Sequence, residues 1–285
     1  MDKKIDYTIL LEKYPNVKIS EINIGYTNKM VLLDNLYPKI VVKIFEKELY
    51  KNSNSWKNEI NALSFIKDKN ISPKLLDYFE DNFNGYLLME YVEGVNGQTF
   101  LDNGNLKTSK QTFKLLGMHL AKDIHSIKLN NNSDIFIIKM INENDNFLDY
   151  IPKNLLKLVN RINNFQNKKN LNLIHGDFGP HNIIHSNDSI SIVDWEWTGW
   201  GNSLQDISNI LWFTHLHYPK ICKELSDIFI NEYLVYNDIE ITEEYIKAFS
   251  ISKCINVLNF IQEEHLDNKK EWIRRLEWTI GHNFL

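Results

Sequence analysis

His175-Gly176-Asp177-Phe178-Gly179-Pro180-His181-Asn182, followed by Ile192-Val193-Asp194, is the stretch on which the reading of this chain turns. It sets a carboxylate, an amide and a second carboxylate in order. Asn182 lies five positions after Asp177, and Asp194 twelve beyond Asn182. Transfer of a phosphoryl group needs one carboxylate beside the attacking hydroxyl, and oxygen ligands that hold Mg²⁺ against nucleotide phosphates. In that chemistry Asp177 accepts the hydrogen bond of the acceptor hydroxyl and takes its proton late, a contribution of ~10²–10⁴-fold. Asn182 offers an amide oxygen to the cation and Asp194 a carboxylate. A lone Asp in a loop is usually a turn residue, but the offsets of Asn182 and Asp194 argue against that here. His175 reads as a brace for the loop rather than as the base, and His181 is assigned no role.

Upstream, Ile40-Val41-Val42-Lys43-Ile44-Phe45 reads as an apolar strand interrupted by one lysine. Most strand lysines are solvated. Here a helix expected over 55–68 carries Glu59, the one carboxylate in its first three turns. A strand lysine paired to a helix glutamate fixes an ammonium over the α- and β-phosphates of ATP. Tyr86-Leu87-Leu88-Met89-Glu90-Tyr91-Val92-Glu93-Gly94 reads as a strand running into a connector. Met89 would line the back of an adenine pocket, and the Glu90 carbonyl and Val92 N–H would meet the base edge. Ile24-Gly25-Tyr26-Thr27-Asn28 is the weakest element, a turn with one glycine, whose backbone and the Thr27 and Asn28 side chains would cradle phosphate. Asp206 opens a later helix, either as its N-cap or as an anchor for the backbone of the Asp177 loop; both roles are structural.

Strands are expected at 17–24, 29–34, 39–45, 75–79 and 86–91, with Asn84-Gly85 as a hairpin turn. A short leading helix is expected over 5–14. After Gly94 the apolar spacing turns helical, with Phe113, Leu116, Leu120 and Ile124 on one face, a helix at 153–166, and four more from 206 to 280. The fold class is therefore α+β and two-lobed: an N-terminal lobe, residues 1–92, with a five-stranded antiparallel sheet, and a larger helical lobe, residues 93–285. A small ligand would sit between such lobes.

The 285 residues carry a net charge of -5, which disfavours nucleic acid as a partner. No apolar run reaches the ~18 residues of a membrane span, and the start lacks an apolar signal core, so a cytoplasmic protein is expected. Cys222 and Cys254 read as buried free thiols. Nothing points to a protein partner.

Together these residues resemble the aminoglycoside phosphotransferase and choline kinase superfamily, small-molecule relatives of the protein kinases. The resemblance spans roughly residues 20–210. His175-Gly176-Asp177 through Asn182 resembles the catalytic motif, and Ile192-Val193-Asp194-Trp195-Glu196 the metal-site motif. Leu116-Gly117, Leu120-Ala121 and His125-Ser126 resemble the long helix of the second lobe. The resemblance implies a protein-kinase-like fold, ATP as co-substrate, Mg²⁺ held by Asn182 and Asp194, and Lys43 with Glu59 as the ATP anchor. It implies Asp177 as the catalytic carboxylate and Asp206 as support for its loop.

The departures from protein kinases set the acceptor. Gly179 stands two positions past Asp177 where a lysine would be, and Asp194 is followed by Trp195-Glu196. Only eleven residues separate Asp194 from Asp206, which leaves no room for an activation loop. A small-molecule hydroxyl acceptor follows. Trp195, Trp197 and Trp200, with Glu196, Glu263, Glu264 or Asp267, suit a cation, because indole faces attract ammonium groups by ~0.5–2 kcal/mol. An aminoglycoside-type or other cationic acceptor is the expectation, with choline, ethanolamine or thiamine as the alternative. The Gly25-x-Thr27-Asn28 loop and Asp194-x-Glu196 lean to the alternative, whereas the wording from His175 to Pro180 leans to the aminoglycoside group. A role in antibiotic resistance and a metabolic one both stay open. A nucleotide-binding pseudokinase scaffold is the reading from another class; the joint presence of Lys43, Asp177, Asn182 and Asp194 disfavours it.

Overall fold

The computed structural model describes residues 7–22, 28–47, 55–129, 149, 151–157, 171–186, 189–261 and 265–285. The chain divides into two compact units, Met1–Glu93 and Gly94–Leu285.

In the first unit, α1 (Thr8–Lys13) precedes three strands, β1 (Ile19–Ile22), β2 (Lys29–Leu33) and β3 (Ile40–Glu46). Then follow α2 (Ser55–Ile66), β4 (Leu75–Glu80) and β5 (Asn84–Glu90). The strands form one antiparallel sheet in the order β1-β2-β3-β5-β4. β3 is central, which is why it reads as an almost unbroken apolar run rather than an alternation. Alternate residues still face opposite sides. Ile40, Val42 and Ile44 join Leu10, Val31, Leu33, Tyr86 and Leu88 in the core under α1. Val41, Lys43 and Phe45 face the other way, and Lys43 pairs with Leu87 across β5.

The β4–β5 turn lies at Asp81–Phe83 and not at Asn84-Gly85, which begin β5. Asp81 sets it: Oδ1 accepts the N–H groups of Phe83 and Asn84 at 2.7 and 2.6 Å, and Oδ2 accepts the Tyr86 hydroxyl at 2.8 Å. Gly85 serves packing instead, since a Cβ there would stand 3.0 Å from the Trp56 ring on α2.

In the second unit, β6 (Val95–Asn96) leads into α3 (Gly97–Asp102) and α4 (Leu106–His119), which runs on as a π-helical turn to Ile124. Phe113, Leu116, Leu120 and Ile124 are all buried. Gly117 lets α4 lie directly on α6 (Cys222–Tyr236), because a Cβ there would come within 2.5 Å of the Phe229 carbonyl oxygen. Of the helix expected at 153–166, residues 153–157 are described and are helical. Short strands follow: β7 (Asn172–Ile174), β8 (Ile183–Ser186), β9 (Ser189–Ile192) and β10 (Gly199–Gly201). β7 pairs with β10, and β8 with both β6 and β9. Helices α5 (Leu204–His217), α7 (Glu243–Phe260) and α8 (Leu266–Gly281) complete the unit. The segment from His175 to Asn182 is thus a loop between β7 and β8, and Asp194 follows directly on the end of β9. Both cysteines are free; Cys254 is buried, but Cys222 is only half-buried at the start of α6. No helix among the described residues is long and apolar enough to cross a membrane.

Candidate active site

In the first unit, Lys43 is not on a solvated face. Its Nζ donates to Glu59 Oε2 at 2.7 Å, and the two residues are 4% and 1% exposed. The Lys43 ammonium also lies 5.0 Å from the centre of the Phe45 ring. An ammonium this deeply buried is tolerated because a carboxylate and hydrogen bonds compensate the lost hydration. Val41 pairs with Met89 across β5, so Met89 is on the Lys43 face of the sheet, where it is buried. Glu90 ends β5 with its N–H bonded to the Lys74 carbonyl at 3.0 Å. Val92 follows, half-buried. Asn28 precedes β2 and is half-buried. Gly25 and Thr27 lie outside the described residues, as do Glu263 and Glu264.

In the second unit, the loop that bears Asp177 is held by its backbone. Asp206 is fully buried in the first turn of α5, where Ser203 and not Asp206 occupies the cap position. Its carboxylate is spent on the loop instead, accepting the His175 N–H at 2.7 Å and the Gly176 N–H at 2.8 Å. His125, itself buried, lies 3.2 Å from Asp206 Oδ2 and 2.9 Å from the Tyr233 hydroxyl. Asn209 donates to the Gly176 carbonyl at 2.8 Å. Gly176 has φ +83°, and a Cβ there would overlap the Trp197 carbonyl; glycine alone fits both demands. His175 Nδ1 accepts the Asp177 N–H at 3.3 Å, so Nε2 carries the proton toward the Val193 carbonyl at 3.0 Å. Burial lowers the pKa of His175, which keeps the ring neutral in this brace.

The Asp177 carboxylate is the most heavily partnered group of the loop. Oδ2 accepts from Asn182 Nδ2 at 3.1 Å and faces His181 Nε2 at 3.3 Å. Oδ1 accepts from Lys253 Nζ, on α7, at 3.0 Å. The same ammonium donates to the Gly176 carbonyl at 3.0 Å and lies 5.8 Å from the centre of the Trp197 ring. Burial alone would raise the Asp177 pKa; the Lys253 charge and the His181 hydrogen bond outweigh it and hold the acid well below the usual carboxylate range. The group is therefore ionised throughout the physiological range, a hydrogen-bond acceptor first and a base only once a proton becomes very acidic.

Asn182 is buried, and its Nδ2 is committed to Asp177, donating to its carbonyl at 2.9 Å as well. That orientation leaves the amide oxygen for a cation. Asp194 sits at φ +65°, a left-handed conformation that Asp tolerates better than most residues. One of its carboxylate oxygens lies within 4.8 Å of one from buried Glu196. An amide oxygen and two carboxylates make a hard, oxygen-only donor set of the kind Mg²⁺ and Ca²⁺ take. Of the tryptophans expected to face a cation, Trp195 and Trp200 do not: both are fully buried, and Trp195 Nε1 is bonded to the Ile192 carbonyl at 2.9 Å. Trp197 is 39% exposed. Asp267 is exposed at the start of α8, 3.6 Å from Lys270.

Sequence reasoning passed over two members of this site. His181 lies within the quoted motif, which by itself gives it no role. Lys253 lies 76 residues from Asp177 and, on a helix dense in apolar residues, gave no local signal; only the fold brings it to the loop.

A family model described as the phosphotransferase enzyme family matches residues 18–244. The LicA homolog of Mycoplasma capricolum is 24% identical over 221 residues, covering 76% of this chain and 80% of the relative. Choline kinase LicA of Streptococcus pneumoniae is a similar solved structure, with TM-score 0.65 at 16% identity, covering 94% of this chain and 98% of that one. An aminoglycoside-3'-phosphotransferase of type VIII has TM-score 0.60 at 15% identity, covering 89% and 97%. These likenesses carry the two-lobed kinase-like α+β fold.

Proposed function

The chain belongs to the phosphotransferase enzyme family, and on that premise we propose that it moves the γ-phosphoryl group of ATP to the hydroxyl of a small cationic alcohol of the choline or ethanolamine class. One observation carries the reading. The loop bearing Asp177 is pinned by its backbone to Asp206, and Asn182, whose amide donates to the Asp177 carboxylate, stands in one unit with the close carboxylates of Asp194 and Glu196.

In this reading the acceptor hydroxyl donates to Asp177. Its oxygen attacks the γ-phosphorus as the bond to the β-phosphate oxygen breaks, and ADP leaves. The hydroxyl proton passes to Asp177 late, when the forming ester makes it acidic, and then to solvent. No covalent enzyme intermediate forms. A magnesium ion held by Asn182, Asp194 and Glu196 would neutralise phosphate charge. Lys43, fixed by Glu59, supplies a second cation for the nucleotide phosphates, and Met89, Glu90 and Val92 supply the adenine contacts. Much of the protein's contribution is positioning and charge already in place.

The cationic acceptor is supported by the exposure of Trp197, an indole of the kind that attracts ammonium groups, and by Asp194-x-Glu196. The likeness to LicA proteins favours a small amino alcohol. The wording from His175 to Pro180, with the likeness to an aminoglycoside phosphotransferase, favours the second reading, an aminoglycoside. Incubation with Mg-ATP and, separately, choline, ethanolamine, thiamine and aminoglycosides, read by phosphorus NMR of the product, tests the proposal. A phosphomonoester of choline or ethanolamine is the expected product. An aminoglycoside phosphate alone would replace the first reading by the second. ATP binding without any phosphorylated product would overturn both and return the scaffold reading.

A further inference from the structure

We propose that Lys253 is a positioning residue for phosphoryl transfer, fixing the one carboxylate oxygen of Asp177 that is open to the acceptor hydroxyl. The inference rests on the function proposed above and deepens it.

A carboxylate has about four lone-pair sites, two on each oxygen. Oδ2 of Asp177 has both sites taken, by Asn182 Nδ2 at 3.1 Å and His181 Nε2 at 3.3 Å. Among the described residues Oδ1 has a single partner, Lys253 Nζ at 3.0 Å. The hydroxyl must therefore meet Oδ1, the oxygen that already holds the ammonium. The segment from His175 to Asn182 contains no lysine or arginine, so the positive charge at this point comes from α7.

The ammonium is placed for more than charge balance. Its second N–H holds the Gly176 carbonyl at 3.0 Å, the residue whose N–H is held by Asp206 at 2.8 Å. Lys253 therefore locks the backbone and the carboxylate of the loop together and sets the rotamer of Asp177. Its third N–H has no partner among the hydrogen bonds of the described residues, and the side chain is 21% exposed. His181 plays the complementary part on Oδ2, its ring 4.5 Å from that of Phe213.

The test compares wild type, K253M, K253R and K253A on the acceptor that the wild type turns over best, with thermal melting of each. Expected is a loss of kcat of about 10²-fold in K253M, with KM for ATP within twofold and the melting temperature close to wild type. K253R, which restores a cation, should recover at least about tenfold of that loss, and ethylammonium should raise kcat of K253A saturably. A merely structural lysine would move stability and leave kcat of the folded fraction intact. Folded K253M with kcat within threefold of wild type would overturn the role. If K253M does not fold, the K253A series decides: no response to ethylammonium overturns it. A wild type that phosphorylates no acceptor is a separate result, which overturns the proposed function and this role with it.

Discussion

The carboxylate of Asp206 accepts the backbone N–H of His175 at 2.7 Å across 31 residues of sequence. Through this bond a fully buried acid on α5 fixes where the loop begins, two residues before Asp177. The same carboxylate faces buried His125 at 3.2 Å, so its removal orphans two backbone donors and one imidazole. Asp206→Ala is expected to cost about 3–5 kcal/mol of unfolding free energy, read by urea denaturation. A loss below about 1 kcal/mol would show that the loop holds itself.

Gly176→Ala tests the neighbouring position. The left-handed backbone alone costs about 1–3 kcal/mol for a residue with a Cβ, and the methyl group would also overlap the Trp197 carbonyl. A melting temperature several degrees lower is expected, together with a fall in turnover. An unchanged melting curve would contradict the described loop.

The Lys43–Glu59 pair is buried on both sides, so the two residues should be energetically coupled. Glu59→Ala removes the carboxylate that faces a buried ammonium and is expected to destabilise by about 3–5 kcal/mol. Lys43→Met combined with Glu59→Ala should cost clearly less than the sum of the two single changes. A double-mutant cycle in urea measures the coupling, and strict additivity would refute it. Under the proposed function, Lys43→Met also raises KM for ATP.

His215 gives a pH dependence with a definite sign. Burial, and then the neighbouring His282 at 2.9 Å, lower its pKa from 6.5 to about 4. The unfolded chain therefore takes up the proton before the folded one does. The stabilisation is complete above pH 6.5 and is lost as pH falls from there to about 4. His215→Gln should flatten the fall in melting temperature across that window. An equally steep profile in the variant would assign the effect elsewhere.

Much of the fold was legible because its signals are local. The apolar run of β3, the helical spacing of Phe113, Leu116, Leu120 and Ile124, and the break in character after Gly94 each follow from one segment's own burial. The β4–β5 turn was misplaced because Asn84-Gly85 has turn chemistry, whereas Gly85 is demanded by the Trp56 ring, a tertiary contact. In the site, the pairing of Asp177 with Asn182 is a short-range consequence of one loop, and the motif announces it. The tryptophans after Asp194 read as a substrate face because composition cannot tell an exposed indole from a core one; of the three, Trp197 alone is exposed. Lys253 was illegible for a different reason. One lysine on an 18-residue helix looks like any solvated charge until packing of the second unit points it at Asp177.

Under the proposed function, Asp177 orients the acceptor hydroxyl for attack on ATP. The most direct measurement is Mg²⁺-dependent ADP formation with the best acceptor, wild type against Asp177→Asn, with ATP binding followed by calorimetry. A fall in kcat of about 10²-fold or more is expected, with ATP affinity retained. Turnover by Asp177→Asn within threefold of wild type would contradict it.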